Sequence, residues 1–196
     1  MNIADTLKVI IVVVASLSSP VFLMADNLLL NGDFEETVEI STDADRQRFQ
    51  GDGWKLGNEP PRLPSGWALH DAHKGRLTLV EEDAKSGGLA CKVEGGGWIH
   101  APFPVNSDSL INITFWAKGE GKVGVMIFQY EHDSSDAVIQ FLETAQLETV
   151  QLDGEWKEYK MQHLFSTPAV NRAHIAFDVQ GAAVLDAVSI EEQGAK

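Results

Sequence analysis

The chain predicts an all-β fold, a sandwich of antiparallel strands. From Trp67 onward, apolar and polar residues alternate in short runs, each closed by Gly, Asn, Asp or Pro. Runs of this kind present one apolar face and end in turn residues. No stretch carries a convincing helical period, and the length suits one domain once a leader is set aside.

In chain order, Met1 to Ala25 comes first. It holds Lys8, an apolar stretch from Val9 to Leu17, and a Ser- and Pro-containing end that closes on Leu23-Met24-Ala25. This pattern predicts a secretory signal peptide cleaved after Ala25. Its apolar run falls short of the roughly 20 residues that span a bilayer, so no membrane attachment is expected after cleavage. Residues 26–196 are then one domain, secreted or held in the periplasm or cell envelope, and expected to be a monomer.

The run Leu28-Leu29-Leu30 reads as a first strand that turns at Asn31-Gly32-Asp33-Phe34-Glu35. Gly32 tolerates positive φ, and Asn31 and Asp33 suit turns through their short polar side chains. Residues 37–65 are charged and broken by Gly51, Gly53, Gly57, Pro60, Pro61 and Pro64, which predicts a long loop insertion. It carries Arg46, Arg48, Phe49 and Trp54, either folding over one edge of the sandwich or forming a plain surface insertion.

Strands are expected at Trp67 to His70, Arg76 to Glu82, Leu89 to Glu94, Trp98 to Val105, Leu110 to Lys118 and Lys122 to Glu131. Further ones follow at Val138 to Glu143, Thr149 to Leu152, Trp156 to Phe165, Ala173 to Gln180 and Ala183 to Glu191. Alternation assigns their faces. Ile111, Ile113 and Phe115 point in and leave Asn112, Thr114, Trp116 and Lys118 outside. Val123, Val125 and Ile127 turn Met126, Phe128 and Tyr130 outward, and Ile175, Phe177 and Val179 do the same for His174, Asp178 and Gln180. Three strands therefore offer an outer face that mixes aromatics with hydrogen-bonding groups.

With 15 Lys and Arg against 29 Asp and Glu, the net charge is -14, and no basic stripe interrupts it. Such a polyanion is repelled by nucleic acid phosphates, which excludes nucleic acid as a partner. The single Cys91 has no disulfide partner and reads as a half-buried strand residue.

The turn after the first strand also suggests oxygen ligands. It brings the Asp33 backbone and the Glu35 carboxylate towards one point, and Asp186 in the last strand-like run is the natural second acid. Hard cations want such a mixture of carbonyls and carboxylates. Ordinary turn residues and an edge-capping acid explain the same positions.

Laid out in this way, the chain resembles carbohydrate-binding modules of the CenC-like type, families 4, 9 and 22. The matching pieces are Asn31-Gly32-Asp33-Phe34-Glu35, Asp83-Ala84-Lys85-Ser86-Gly87-Gly88-Leu89-Ala90 and Pro102-Phe103-Pro104-Val105. Thr114-Phe115-Trp116-Ala117-Lys118-Gly119, Gly154-Glu155-Trp156-Lys157-Glu158-Tyr159 and Leu185-Asp186-Ala187-Val188-Ser189 follow in the family's order. The resemblance implies a β-jelly roll of two antiparallel sheets with one concave face. It also implies a structural calcium held by the Asp33 carbonyl, the Glu35 and Asp186 carboxylates and carbonyls around Ser86 and Leu89.

Such modules bind glycans in the concave cleft. A pyranose packs its C–H face on an aromatic plane, while its hydroxyls need fixed polar partners to replace lost water. Trp98, Trp116, Phe128 and Tyr130 are the candidate planes, and Asn112, His174, Asp178 and Gln180 the candidate polar partners. Trp67 and Trp156 read as structural. The expected ligand is a polysaccharide of β-glucan or xylan type.

Glycoside hydrolysis commonly uses two carboxyl groups across a cleft. Glu81 and Glu82 are adjacent on one strand and face opposite ways. No Gly-x-Ser-x-Gly elbow, zinc-binding His pair or phosphate loop is present, and His70 and His73 stand without a third ligand nearby. A non-catalytic binding module is the first reading. A glycan-active enzyme and a jelly-roll adhesion or envelope protein are the alternatives.

Overall fold

The computed structural model describes residues 27–40, 55–69 and 75–193. The expected signal peptide, Arg46, Arg48, Phe49, Trp54, His70 and His73 lie outside the described residues. Those described form strands throughout: β1 (Thr37–Glu39), β2 (Lys55–Leu56), β3 (Arg62–Pro64), β4 (Trp67–Leu69), β5 (Arg76–Val80), β6 (Ala90–His100), β7 (Phe103–Pro104), β8 (Leu110–His132), β9 (Val138–Asp153), β10 (Lys157–Leu164) and β11 (Arg172–Gln193). The segment expected as a loop, 37–65, contains β1, β2 and β3, and β1 pairs antiparallel with β3.

The core layers come from three long strands folded across a common line. β8 pairs with β11 from one end to the other. In that ladder Phe177 lies opposite Val125, ten positions along β8 from Phe115. A straight strand would separate them by about 33 Å, yet the Phe115 and Phe177 rings meet edge to face at 5.2 Å. The sheet therefore doubles over, and the two limbs enclose the core between them.

Glycines make the fold line. Gly119, Gly121 and Gly181 take φ of 134°, 124° and 99°, with Gly95 and Gly96 at 68° and 78° on the neighbouring strand. Gly121 pairs with Gly181, and a Cβ there would meet the Gln180 carbonyl oxygen at 2.0 Å. At these positions only glycine can turn the backbone while the ladder continues. The sequence reading ended strands here, whereas the structure bends them: 110–118 with 122–131, and 173–180 with 183–191, are each one strand. β9 likewise joins 138–143 to 149–152 across a register shift between Gly124 and Met126 of its partner.

One limb, here called the front, runs β9, β8, β11, β6 and β4 across the sheet. The back limb runs β10, β8, β11, β6, β5 and β2. Parity holds along all of β8: Ile111, Ile113, Phe115, Ala117, Val123, Val125 and Ile127 are fully buried. Even-numbered residues of the first half consequently face out at the back, and those of the second half face out at the front.

An aromatic cluster fills one end of the core. Trp67 stacks on Trp98 at 4.3 Å, and Phe34 packs against both at 5.5 and 5.2 Å. The first turn feeds this cluster. Positive φ falls on Asn31 (53°) and Phe34 (62°), not on Gly32. Gly32 is needed for space instead, because a Cβ there would meet the Val188 carbonyl oxygen at 1.9 Å. The Asn31 side chain fixes the turn by donating to the Glu36 and Ser65 carbonyls and accepting from the Glu36 N–H. Cys91 is fully buried on β6, and burial pushes its thiol well above the ordinary range.

Candidate functional site

The outer face of the front limb is built from cross-strand rungs, since directly paired residues project to the same side. At one end Phe141, Tyr130, Arg172 and Pro104 lie in a row on β9, β8, β11 and β7. The next rung is Thr144, Phe128 and His174. Then come Gln146, Met126, Ala176, Ile99 and Ala68, followed by Thr149, Gly124, Asp178 and Gly97. Gln151, Lys122 and Gln180 close the far end. Gly124, Ala176, Gly97 and Ala68 are the small positions of the middle rungs, set among Gln146, Met126, Ile99, Thr149 and Asp178. This strip across the strands is here called the trough.

Tyr130 is the hub of the aromatic end. Its ring meets Phe141 at 5.4 Å, His174 at 5.2 Å and His132 at 6.2 Å, each edge to face. Burial pushes its phenol up, so the hydroxyl stays protonated and able to donate. His174 Nδ1 lies 2.9 Å from the His100 carbonyl oxygen and must donate to it. Burial holds its ring below the ordinary 6.5. In the neutral ring Nε2 is then an acceptor. Arg172 Nε donates to Asp136 at 2.8 Å, which tethers the β8–β9 turn to this end.

Five predicted ligand residues lie on these rungs: Phe128, Tyr130, His174 and Asp178, and Gln180 on the last one. Trp98 is corrected. It sits on the same strand as Ile99 with opposite parity, and lies fully buried in the aromatic core. Asn112 and Trp116 are corrected as well. They project from the back limb, where Asn112 Oδ1 accepts from Gln162 and Gln193, and the Lys85 ammonium lies 4.1 Å from the Trp116 ring centre. The bend at Gly119 and Gly121 puts the two halves of β8 on opposite limbs, so the outward residues of 110–118 and of 122–131 lie on opposite faces.

The β9 row of Phe141, Thr144, Gln146, Thr149 and Gln151 was missed. The register shift opposite Gly124 breaks period two in Val138–Asp153, and that broken alternation hid the strand's middle. A cleft of about 740 Å³ opens away from the trough, at the edge between β9 and β10. It is lined by Asn112, Leu147, Glu148, Lys160 and Met161 among others and has no aromatic lining residue.

The expected ligand set for a cation comes together in part. Glu35, Ser86, Leu89 and Asp186 meet around the 83–89 loop on the back limb. Asp186 is fully buried. Its Oδ2 accepts the Lys85 and Ser86 backbone N–H groups at 2.6 and 2.8 Å. Its Oδ1 accepts the Ala187 N–H at 2.6 Å and the Ser86 hydroxyl at 3.2 Å. Glu35 Oε1 takes the Gly88 and Leu89 N–H groups at 2.7 and 2.8 Å. Amide hydrogens, not carbonyl oxygens, face the two acids. A carboxylate has about four lone-pair sites, so Asp186 has none left for a metal. The donor set in this arrangement does not fit a calcium ion, which wants six to eight oxygens.

Neither a protein-family model nor a curated protein matches the chain. Among solved structures, the enzymatically active domain of tailspike protein 4 from bacteriophage CBA120 aligns at a TM-score of 0.52 with 14% identity. The match covers 85% of this chain and 21% of that one. The CBM22-1 xylan-binding domain of Paenibacillus barcinonensis Xyn10C aligns at 0.49 with 14% identity, over 88% of this chain and 97% of the domain. TmCBM61, solved with β-1,4-galactotriose, aligns at 0.46 with 14% identity, over 86% and 100%. The chain shares its β-sandwich fold with a part of the tailspike domain, and carbohydrate-binding modules stand among the solved structures similar to it.

Proposed function

We propose that this protein is an exported, non-catalytic carbohydrate-binding domain whose front trough takes a polysaccharide of β-glucan or xylan type. The observation that carries the reading is the composition of the rungs. Tyr130, Phe141 and Phe128 offer ring surface at one end, and Gln146, Thr149, Asp178, Gln151 and Gln180 offer amide, hydroxyl and carboxylate groups along the floor and far side. A sugar chain needs both, apolar planes for its C–H faces and polar partners for its hydroxyls. Asp178 is the one carboxylate on these rungs among the described residues, and a carboxylate can accept hydroxyl protons without a second acid beside it. Resemblance of the motifs to the CenC-like modules supports the same reading, and the signal-like residues 1–25 support export.

Affinity electrophoresis in gels cast with soluble β-glucan or xylan tests this. At least one polysaccharide should retard the protein, and Tyr130→Ala should weaken the interaction about tenfold, the equivalent of 1.4 kcal/mol. Trp116→Ala, on the opposite face, should leave retardation unchanged. No retardation in either gel, or equal loss from both substitutions, would rule the trough out.

A further inference from the structure

We infer that the 83–89 loop is fastened to the back limb by its own backbone amides in place of a cation. Lys85 and Ser86 donate to Asp186, and Gly88 and Leu89 donate to Glu35. Gly87, between the two pairs, takes φ of 56°, and a Cβ on it would meet Glu35 Oε1 at 2.2 Å. This loop conformation aims four N–H groups at two carboxylates, the geometry a main-chain anion nest uses. A fully buried acid also needs countercharge. Asp186 lies directly opposite Trp116 on β8, and the Lys85 ammonium lies over that indole, on the same side of the sheet. Lys118 at the next outward position pairs with Asp83 at 2.6 Å, so the loop is tied at its start as well.

The consequence is a domain whose fold does not respond to calcium. Charge-assisted bonds to a buried carboxylate are worth more than neutral ones, and here donors of the chain itself supply them. The loop covers the part of the back limb around Asp186 and Trp116.

Thermal melts of the signal-free protein in EDTA and in millimolar calcium chloride, with equilibrium dialysis against labelled calcium, decide the matter. Coincident melts and no retained calcium are expected. Glu35→Gln keeps the side chain's size but removes its charge; it should lower the midpoint by about 5 °C, equally in EDTA and calcium. Asp186→Asn should lower it further in both. A calcium-raised midpoint in the parent that Glu35→Gln abolishes would overturn the inference and assign a cation to these residues. Should Asp186→Asn fail to fold, the Glu35→Gln comparison and the dialysis still give the answer.

Discussion

His100 shows how a single residue ties the sequence to its fold. It is nearly inaccessible, its Nε2 lies 2.9 Å from the Leu30 carbonyl oxygen, and its Nδ1 lies 2.6 Å from that of Ala101. The ring therefore joins the N-terminal segment to the end of β6, against the edge of Trp67. A neutral imidazole donates from one nitrogen only, so one of the two carbonyls lacks its proton while the ring is uncharged. Burial nevertheless holds His100 below 6.5, as it does His163 and His174. A ring that resists protonation when folded binds fewer protons than the unfolded chain. Its contribution to stability is complete above pH 6.5 and is lost as the pH falls from 6.5 through the folded-state value. The melting midpoint should thus decline between pH 7 and pH 5, and His100→Gln should flatten that slope. A midpoint that rises over the same range would contradict it. Asp133, held down chiefly by the Ser135 hydroxyl, and Asp153, held down by Lys157, titrate below their ordinary 3.8 and act in a lower window.

The folded strands β6, β8 and β11 set the architecture, and their glycines are the elements' weak points. A Cβ at Gly119 or Gly181 would meet the Ala182 or Glu120 carbonyl oxygen at 2.2 or 2.4 Å. Backbone against backbone cannot yield as a flexible side chain can. Gly181→Ala should cost about 3 kcal/mol, from positive φ in a non-glycine residue together with the collision. A urea melt measures it. Gly154, which has open space around its Cβ position, is the control for φ alone. A loss at Gly181 no larger than at Gly154 would argue against the fold line. Legibility differs sharply at this scale. The inward stripes Ile111-Ile113-Phe115, Val123-Val125-Ile127 and Ile175-Phe177-Val179 were readable by period two, and each proves buried. The connection between stripes was not, because glycine reads alike as an end and as a bend. From that ambiguity came the misplacement of Asn112 and Trp116. Trp98 escaped because the glycines before it conceal its parity.

For the whole molecule, one sheet folded on itself yields two outer faces with different fates. The back is crossed by the 83–89 loop, anchored through Asp186, Glu35 and the Lys118–Asp83 pair. On the front lies a trough whose polar β9 row continues the aromatic end of β8 and the polar row of β11. A net charge of -14 suits a neutral ligand approached through hydrogen bonds and ring stacking better than an anionic one. The most direct measurement is an NMR titration of the ¹⁵N-labelled protein, expressed from residue 26 on, with xylohexaose and cellohexaose. Binding in the trough predicts saturable shifts at Tyr130, Phe141, Gln146, His174 and Asp178, with Asn112, Trp116 and Ser86 unmoved. Shifts confined to the back limb or to the β9–β10 cleft, or none with either sugar, would contradict it.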